Sequence, residues 1–151
     1  MSMIESLTLQ IANLIADKAL EKGRELKLAP LTVAVLDAGG HLKVLKREDS
    51  SSLLRPRIAT AKAWGVLGMG YGGRELAKRA ATGQAFFNVL SELSGGKVVP
   101  VPGGVIVRSS SGSILGSVGI SGDASEKDEA CAVYGIEAAG LQADTGEKKP
   151  S

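Results

Sequence analysis

The sequence predicts an α+β domain, with an antiparallel sheet of about five strands flanked by helices. Alternating, β-branched segments come first as a hairpin and later as a run of three further strands. Helical periodicity of 3.6 residues appears before, between and after them. The resulting order of helix, hairpin, helices, three strands and helix lacks the regular βαβ alternation of a parallel sheet. At 151 residues the chain is sized for one domain, expected over 1–143.

Residues 8–26 place Leu9, Ile11, Leu14, Ile15, Ala19 and Leu26 close to a helical period, with Thr8 as N-cap and Gly23 near the end. Leu31 to Leu36 alternates, Asp37-Ala-Gly-Gly40 is a turn cluster, and Leu42 to Arg47 alternates again, so the pair reads as a β-hairpin. Pro56 suits the first turn of a second helix that runs to about Leu67, with a face mostly of Ala and Gly. After the glycines of 68–73, Arg74 to Thr82 and Gln84 to Leu93 read as two short helices, and Gly95-Gly96 stops the second. Strands are expected at Val98 to Val101, Val105 to Arg108 and Ile114 to Ser121, the last two joined by a turn containing Gly112. Ser125-Glu-Lys-Asp128 matches a capping box that opens the last helix, and Gly140 ends it. From Asp144 onward the sequence is polar and aperiodic, and 144–151 read as a flexible tail.

Composition excludes several function classes. A net charge of +2, with no long run of one sign, argues against nucleic-acid binding, and an aromatic content of 3% leaves few platforms for stacking bases. One cysteine, Cys131, rules out an intramolecular disulfide framework and a multi-thiolate zinc site, which suits a reducing compartment. The first residues lack the basic and apolar regions of a secretory signal, so the cytoplasm is the expected location. Every apolar window of about 20 residues contains charge or Gly, which argues against a membrane span. Glycine, at 20 residues, makes with alanine a core of small side chains, and self-association into a homo-oligomer is one way to bury further apolar surface.

Familiar motifs are scarce. Gly68-Met-Gly-Tyr-Gly-Gly73 fits the dinucleotide G-x-G-x-x-G pattern formally, but it follows a helix and has no βαβ unit around it. There is no P-loop, no His-based zinc spacing and no G-x-S-x-G nucleophile signature.

Four segments nevertheless occur in a distinctive order: Val35-Leu-Asp-Ala-Gly-Gly-His-Leu42 with Arg47 following, Ala59-Thr-Ala-Lys-Ala63, Pro100-Val-Pro-Gly-Gly104, and Gly116-Ser-Val-Gly-Ile-Ser-Gly122 leading to Asp128. This series resembles the GlcG/HbpS-like family of haem-binding and haem-degrading domains, which includes the C-terminal domain of PduO-type corrinoid adenosyltransferases. The resemblance runs from about Thr8 to Leu141 and implies a profilin-like α/β sandwich that assembles into homo-oligomers. For some members it implies binding of haem or a related tetrapyrrole in sensing, storage or degradation. The chain departs from the family pattern at Ser50-Ser51, where many relatives have Gly-Ala, and at Arg55 and Arg57, where the following helix usually begins with Ser and Asp. Guanidinium groups in those places suit a more anionic ligand.

Each candidate site residue has a functional and a structural reading. His41, the only histidine, is the first candidate haem-iron ligand, yet a polar residue after a Gly-Gly turn is ordinary on a surface. Cys131, Tyr134 and Met69 are secondary candidates. Arg55 and Lys62 are seven residues apart, close to two helical turns, so both can project from one face and with Arg47 clamp carboxylates, or all can be solvated cations. Gly103 and Gly104 allow close approach of a ligand or another backbone. Gly119 and Ser121 share a nearly bare strand face, which serves as a pocket floor or accepts a packed helix. Asp128 caps its helix or, with Lys62, moves protons in an enzyme acting on a small carboxylated metabolite. A third reading is a non-catalytic assembly protein.

Overall fold

A computed structural model describes residues 4–147. Its elements, in chain order, are α1 (Leu9–Glu25), β1 (Thr32–Asp37), β2 (Leu42–Arg47), α2 (Arg55–Met69), α3 (Gly73–Thr82), α4 (Gln84–Leu93), β3 (Gly104–Arg108), β4 (Ile114–Ser121), α5 (Ser125–Ala138) and β5 (Gln142–Asp144). The strands form one antiparallel sheet in the order β2-β1-β4-β3-β5. This is the expected α+β architecture.

Strand alternation divides the core into two layers. Val33, Val35, Val105, Val107, Val118 and Ile120 point to the side covered by α1 and α5, where they pack with Ile15, Ala19, Cys131 and Ile136. On the opposite side, Ile106 packs with Val66, Leu76, Phe87 and Val98, beneath α2, α3 and α4. Thr8 Oγ1 caps α1 by accepting from the Ile11 amide at 3.2 Å, as expected. The buried stripe of α1 is nonetheless Ala12, Ile15, Ala16, Ala19 and Gly23, while Leu9 and Leu14 are exposed. Close packing on α5 selects the small residues: a Cβ on Gly135 would stand 2.4 Å from the Ile15 carbonyl oxygen.

The bare row on β3 and β4 serves the same purpose. A Cβ on Gly119 would lie 2.0 Å from the Ala59 carbonyl oxygen, and one on Gly104 would lie 2.4 Å from that of Lys62. The backbone of α2 therefore rests directly on the sheet. Ser117 Oγ, on the same row, donates to the Ala63 carbonyl at 2.7 Å.

Three local expectations are corrected. Val98 to Val101 is not a strand, because Pro100 and Pro102 remove ladder donors and the segment instead lays Val98 against Val66, Leu76 and Phe87. The fifth strand is β5, whose Gln142, Ala143 and Asp144 pair with Arg108, Val107 and Ile106. Arg108 Nε donates to Asp144 Oδ2 at 2.9 Å, so the expected tail does not begin at Asp144, and Thr145 accepts from the Arg74 amide; 148–151 lie outside the described residues. The capping box is not formed, since the N-cap is Ala124 and the Asp128 carboxylate turns to other partners.

Candidate functional site

Lys62 projects from α2 toward the end of β4. Its Nζ donates to the Ile120 carbonyl at 2.9 Å and to Asp128 Oδ2 at 3.3 Å, while Asp128 Oδ1 accepts from the Asp123 amide at 3.0 Å. The two side chains are 4% and 1% exposed. Burial pushes the Lys62 ammonium below its ordinary value and the Asp128 carboxyl above its own, each opposed by the partner's charge. Gly103, at φ +115°, passes so close that a Cβ there would stand 2.9 Å from Lys62 Nζ. Lys62 is thus neutralised inside the protein and does not form a solvent-facing clamp with Arg55.

Arg55, in the first turn of α2, does share the sheet-facing side with Lys62. Its Nη1 donates to Ser121 Oγ at 3.0 Å. Register places Thr32 of β1 opposite both Ser121 of β4 and Arg47 of β2, so these three residues lie abreast on the α2 face of the sheet. Thr32 Oγ1 and Ser51 Oγ are hydrogen-bonded at 2.7 Å, and Arg47 Nη1 donates to the Ser51 carbonyl at 2.8 Å. The loop that delivers Ser51 turns through Ser50 at φ +69°, a conformation glycine adopts without strain.

Alongside these arginines runs a cleft of about 590 Å³ between α2 and the outer strand β2. Leu36, Leu42, Leu45, Pro56, Ala61 and Trp64 give it apolar walls, and Arg57 and Lys97 add cations. Lys97 Nζ stands 5.5 Å from the centre of the Trp64 ring. Gly40 of the hairpin turn closes one end: a Cβ there, at φ +82°, would be 3.3 Å from Trp64 Nε1.

His41 is turned elsewhere. Its side chain is 81% exposed, its Nδ1 lies 3.2 Å from Asp37 Oδ1, and it borders a separate cleft with Leu7, Leu9 and Leu115. The His41 and Gly39 amides hold the Asp37 carboxyl below the usual range against a smaller effect of burial. Tyr134 lies beneath Lys22, and Cys131 is buried with α1 and α5. Among the described residues no three His, Cys, Asp or Glu side chains converge on a metal site.

Residues 7–137 match the family described as "Haem degrading protein HbpS-like". The chain belongs to the HbpS-like family. It is 31% identical over 123 residues to the corrinoid adenosyltransferase PduO of Citrobacter freundii, across 82% of this chain and 36% of that protein. PduO of Salmonella typhimurium is 33% identical over 110 residues, across 73% and 32%. The HbpS-like chain therefore spans about a third of these relatives' length. Among solved structures, a PduOC–haem complex superposes with a TM-score of 0.80 at 29% identity over 94% of this chain and 99% of the other. HbpS superposes at 0.77 with 26% identity over 91% and 93%. These HbpS-like proteins share the fold described above.

Sequence reasoning missed the cleft walls of this HbpS-like domain. Leu42 and Leu45 read only as hairpin residues, because which side of an outer strand stays uncovered depends on where α2 comes to lie. Trp64 carried a usable signal: it is the only tryptophan, set on a helix otherwise built of small residues. Of the two readings the sequence left open for Gly104 and Gly119, a ligand or a close-packed backbone, the structure shows the backbone of α2 against both.

Proposed function

We propose that this chain binds an amphipathic tetrapyrrole, haem foremost, in the cleft between α2 and β2. The observation that carries the proposal is the pairing of apolar walls at Leu42, Leu45 and Trp64 with cations at Arg57 and Lys97. A flat apolar macrocycle with carboxylates needs both. The haem complex of PduOC and the family description support the ligand class.

The cleft fits the macrocycle and its acidic groups. Among the described residues its lining contains no His, Cys, Met or Tyr, so recognition there rests on stacking, apolar contact and charge. When bound, haem would supply iron redox chemistry. The protein would exclude water from one face of the ring, with Trp64 against the macrocycle and Lys97 and Arg57 at its carboxylates.

Proton transfer by Lys62 or Asp128 on a small carboxylated metabolite has less support, because both side chains are sealed from solvent. Among the described residues no helix is long and apolar enough to cross a membrane, which accords with a cytoplasmic location as part of this proposal. Assembly into a homo-oligomer also belongs to it, supported by exposed Leu53, Leu54, Phe86 and Leu93.

The test is a haemin titration followed by absorption and Trp64 fluorescence. Saturable one-to-one quenching is expected in wild type, and the affinity read from absorption should weaken at least tenfold in Trp64→Ala or Leu45→Asp with the fold intact. Absence of a saturable absorption change would overturn the proposal.

A further inference from the structure

Positive charge between α2 and the sheet exceeds what the protein itself neutralises. Asp128 is occupied by Lys62 and by the Asp123 amide. Arg55 is half-buried, close enough that its charge lowers the proton affinity of Lys62, and among the described residues its guanidinium donates to a neutral hydroxyl, Ser121 Oγ, and to no carboxylate. Among the described residues the exposed Arg47 guanidinium likewise donates to the Ser51 carbonyl alone.

Neighbouring carboxylates are engaged elsewhere. Glu48 binds Arg24 and the Leu31 amide, and Asp123 accepts from the Ala29 and Ala124 amides. Asp49, which borders a cavity with Arg47, is exposed and forms no ion pair within 4.0 Å with any described residue. Arg55 and Arg57 also occupy the first turn of α2, which contains no acid, and that is the helix end where positive charge is disfavoured. A guanidinium has five donors, so Arg47 and Arg55 each retain most of their hydrogen-bonding capacity.

Between the two arginines lies a floor of hydroxyls. Thr32 and Ser121 are fully buried, and Ser51 is 4% exposed. From strand spacing, Arg47 and Ser121 are about 10 Å apart across β1. Arg47, exposed and bordering a neighbouring cavity, stands two residues beyond Leu45 on the same face of β2, and Arg55 directly precedes Pro56, so both adjoin the end of the groove that Leu45 and Pro56 wall.

We infer that Arg47 and Arg55 form a carboxylate-binding subsite at the α2 N-terminal end of the cleft, held from beneath by the buried Thr32–Ser51 pair and Ser121. The inference rests on the cleft being the ligand site, and it specifies the ligand: an amphipathic acid whose carboxylate lies at this end. A carboxylate forked between the guanidinium groups supplies the negative charge that the fold leaves out.

The test compares haemin with its dimethyl ester, which lacks free carboxylates, in wild type, Arg55→Gln, Arg47→Gln, Arg55→Lys and the remote control Lys127→Gln. In parallel, succinate alone is titrated while the Nε–H resonances of Arg47 and Arg55 are followed. Circular dichroism checks that each variant is folded. In wild type haemin is expected to bind about tenfold tighter than the ester. Arg55→Gln should at least halve that ratio, leaving the share that Arg57 and Lys97 supply, Arg55→Lys should restore part of it, and Lys127→Gln should leave it unchanged. Equal binding of acid and ester, or a ratio that survives both Gln variants, overturns the subsite and leaves the cleft reading standing. If neither porphyrin binds but succinate shifts both arginine resonances, the subsite stands and the tetrapyrrole reading falls. If succinate shifts nothing as well, both fall.

Discussion

Lys62 on α2 and Asp128 on α5 meet at 3.3 Å beside the end of β4, so one buried ion pair ties together helices that cover opposite faces of the sheet. Every buried polar side-chain atom among the described residues has a hydrogen-bond partner, and this network is complete without solvent. Removing one partner is therefore far more disruptive than replacing both. Asp128→Ala should destabilise the fold by about 3–5 kcal/mol, while Lys62→Met with Asp128→Leu should regain most of that loss. Urea unfolding of the single and double variants measures the difference. A loss below about 1 kcal/mol in Asp128→Ala would refute the structural role given to the pair.

Gly119 sets the distance between α2 and the sheet. With a Cβ there only 2.0 Å from the Ala59 carbonyl oxygen and 2.7 Å from the Ala63 amide, Gly119→Ala must lift the helix. The expected cost is about 3 kcal/mol or more, at the upper end of overpacking effects. Gly83→Ala is a useful comparison, since its new Cβ would meet one carbonyl oxygen at 3.2 Å. Thermal unfolding should separate the two variants by many degrees.

Burial pushes the Cys131 thiol up to about 11, with the Asp128 charge adding to the rise. The native thiol should resist alkylation at pH 8 and react once the chain is unfolded, because thiolate is the nucleophile and the native site holds almost none. The same shift has a consequence for stability. Between the ordinary thiol value and about 11 the native state keeps a proton that the unfolded state has lost, so stability should fall as pH rises through that window. Cys131→Ala should flatten that part of the pH profile. Rapid labelling of the folded protein at pH 8 would contradict the burial.

Iron is not expected to govern affinity if the α2–β2 cleft is the site, because no described residue of its walls is a His, Cys, Met or Tyr. Protoporphyrin without iron should bind within about threefold of haemin, and His41→Ala should leave both affinities unchanged. Paired fluorescence and absorption titrations check this. A large loss in His41→Ala for haemin alone would place iron on the His41 side of the hairpin, outside the α2–β2 cleft.

Much of the fold was legible in the sequence. Local chemistry fixed α1 with its Thr8 cap, the hairpin around Gly40, the strands at 105–108 and 114–121, and the glycine stops after α2 and α5. These features depend on nearest neighbours along the chain: periodicity, turn residues and capping oxygens. The left-handed backbone of Ser50, at φ +69°, was not legible: the sequence marked that position only as a departure from the family pattern.

Other features depended on partners distant in sequence. The two prolines around Val101 outweighed its β-branched neighbours, and β5 formed only because β3 offered a free edge and Arg108 a partner for Asp144. The sequence could place Arg55 and Lys62 on one helix face, but Asp128, 66 positions further along, decided that Lys62 would be neutralised while Arg55 would not. The glycine row was equally open to a ligand or a helix until α2 came to rest on it. Sequence by itself determined the elements, their order and the stock of cations; the tertiary structure decided which charges were cancelled, which face of β2 stayed uncovered and where Trp64 stood, because burial and pairing belong to contacts the linear chain does not contain.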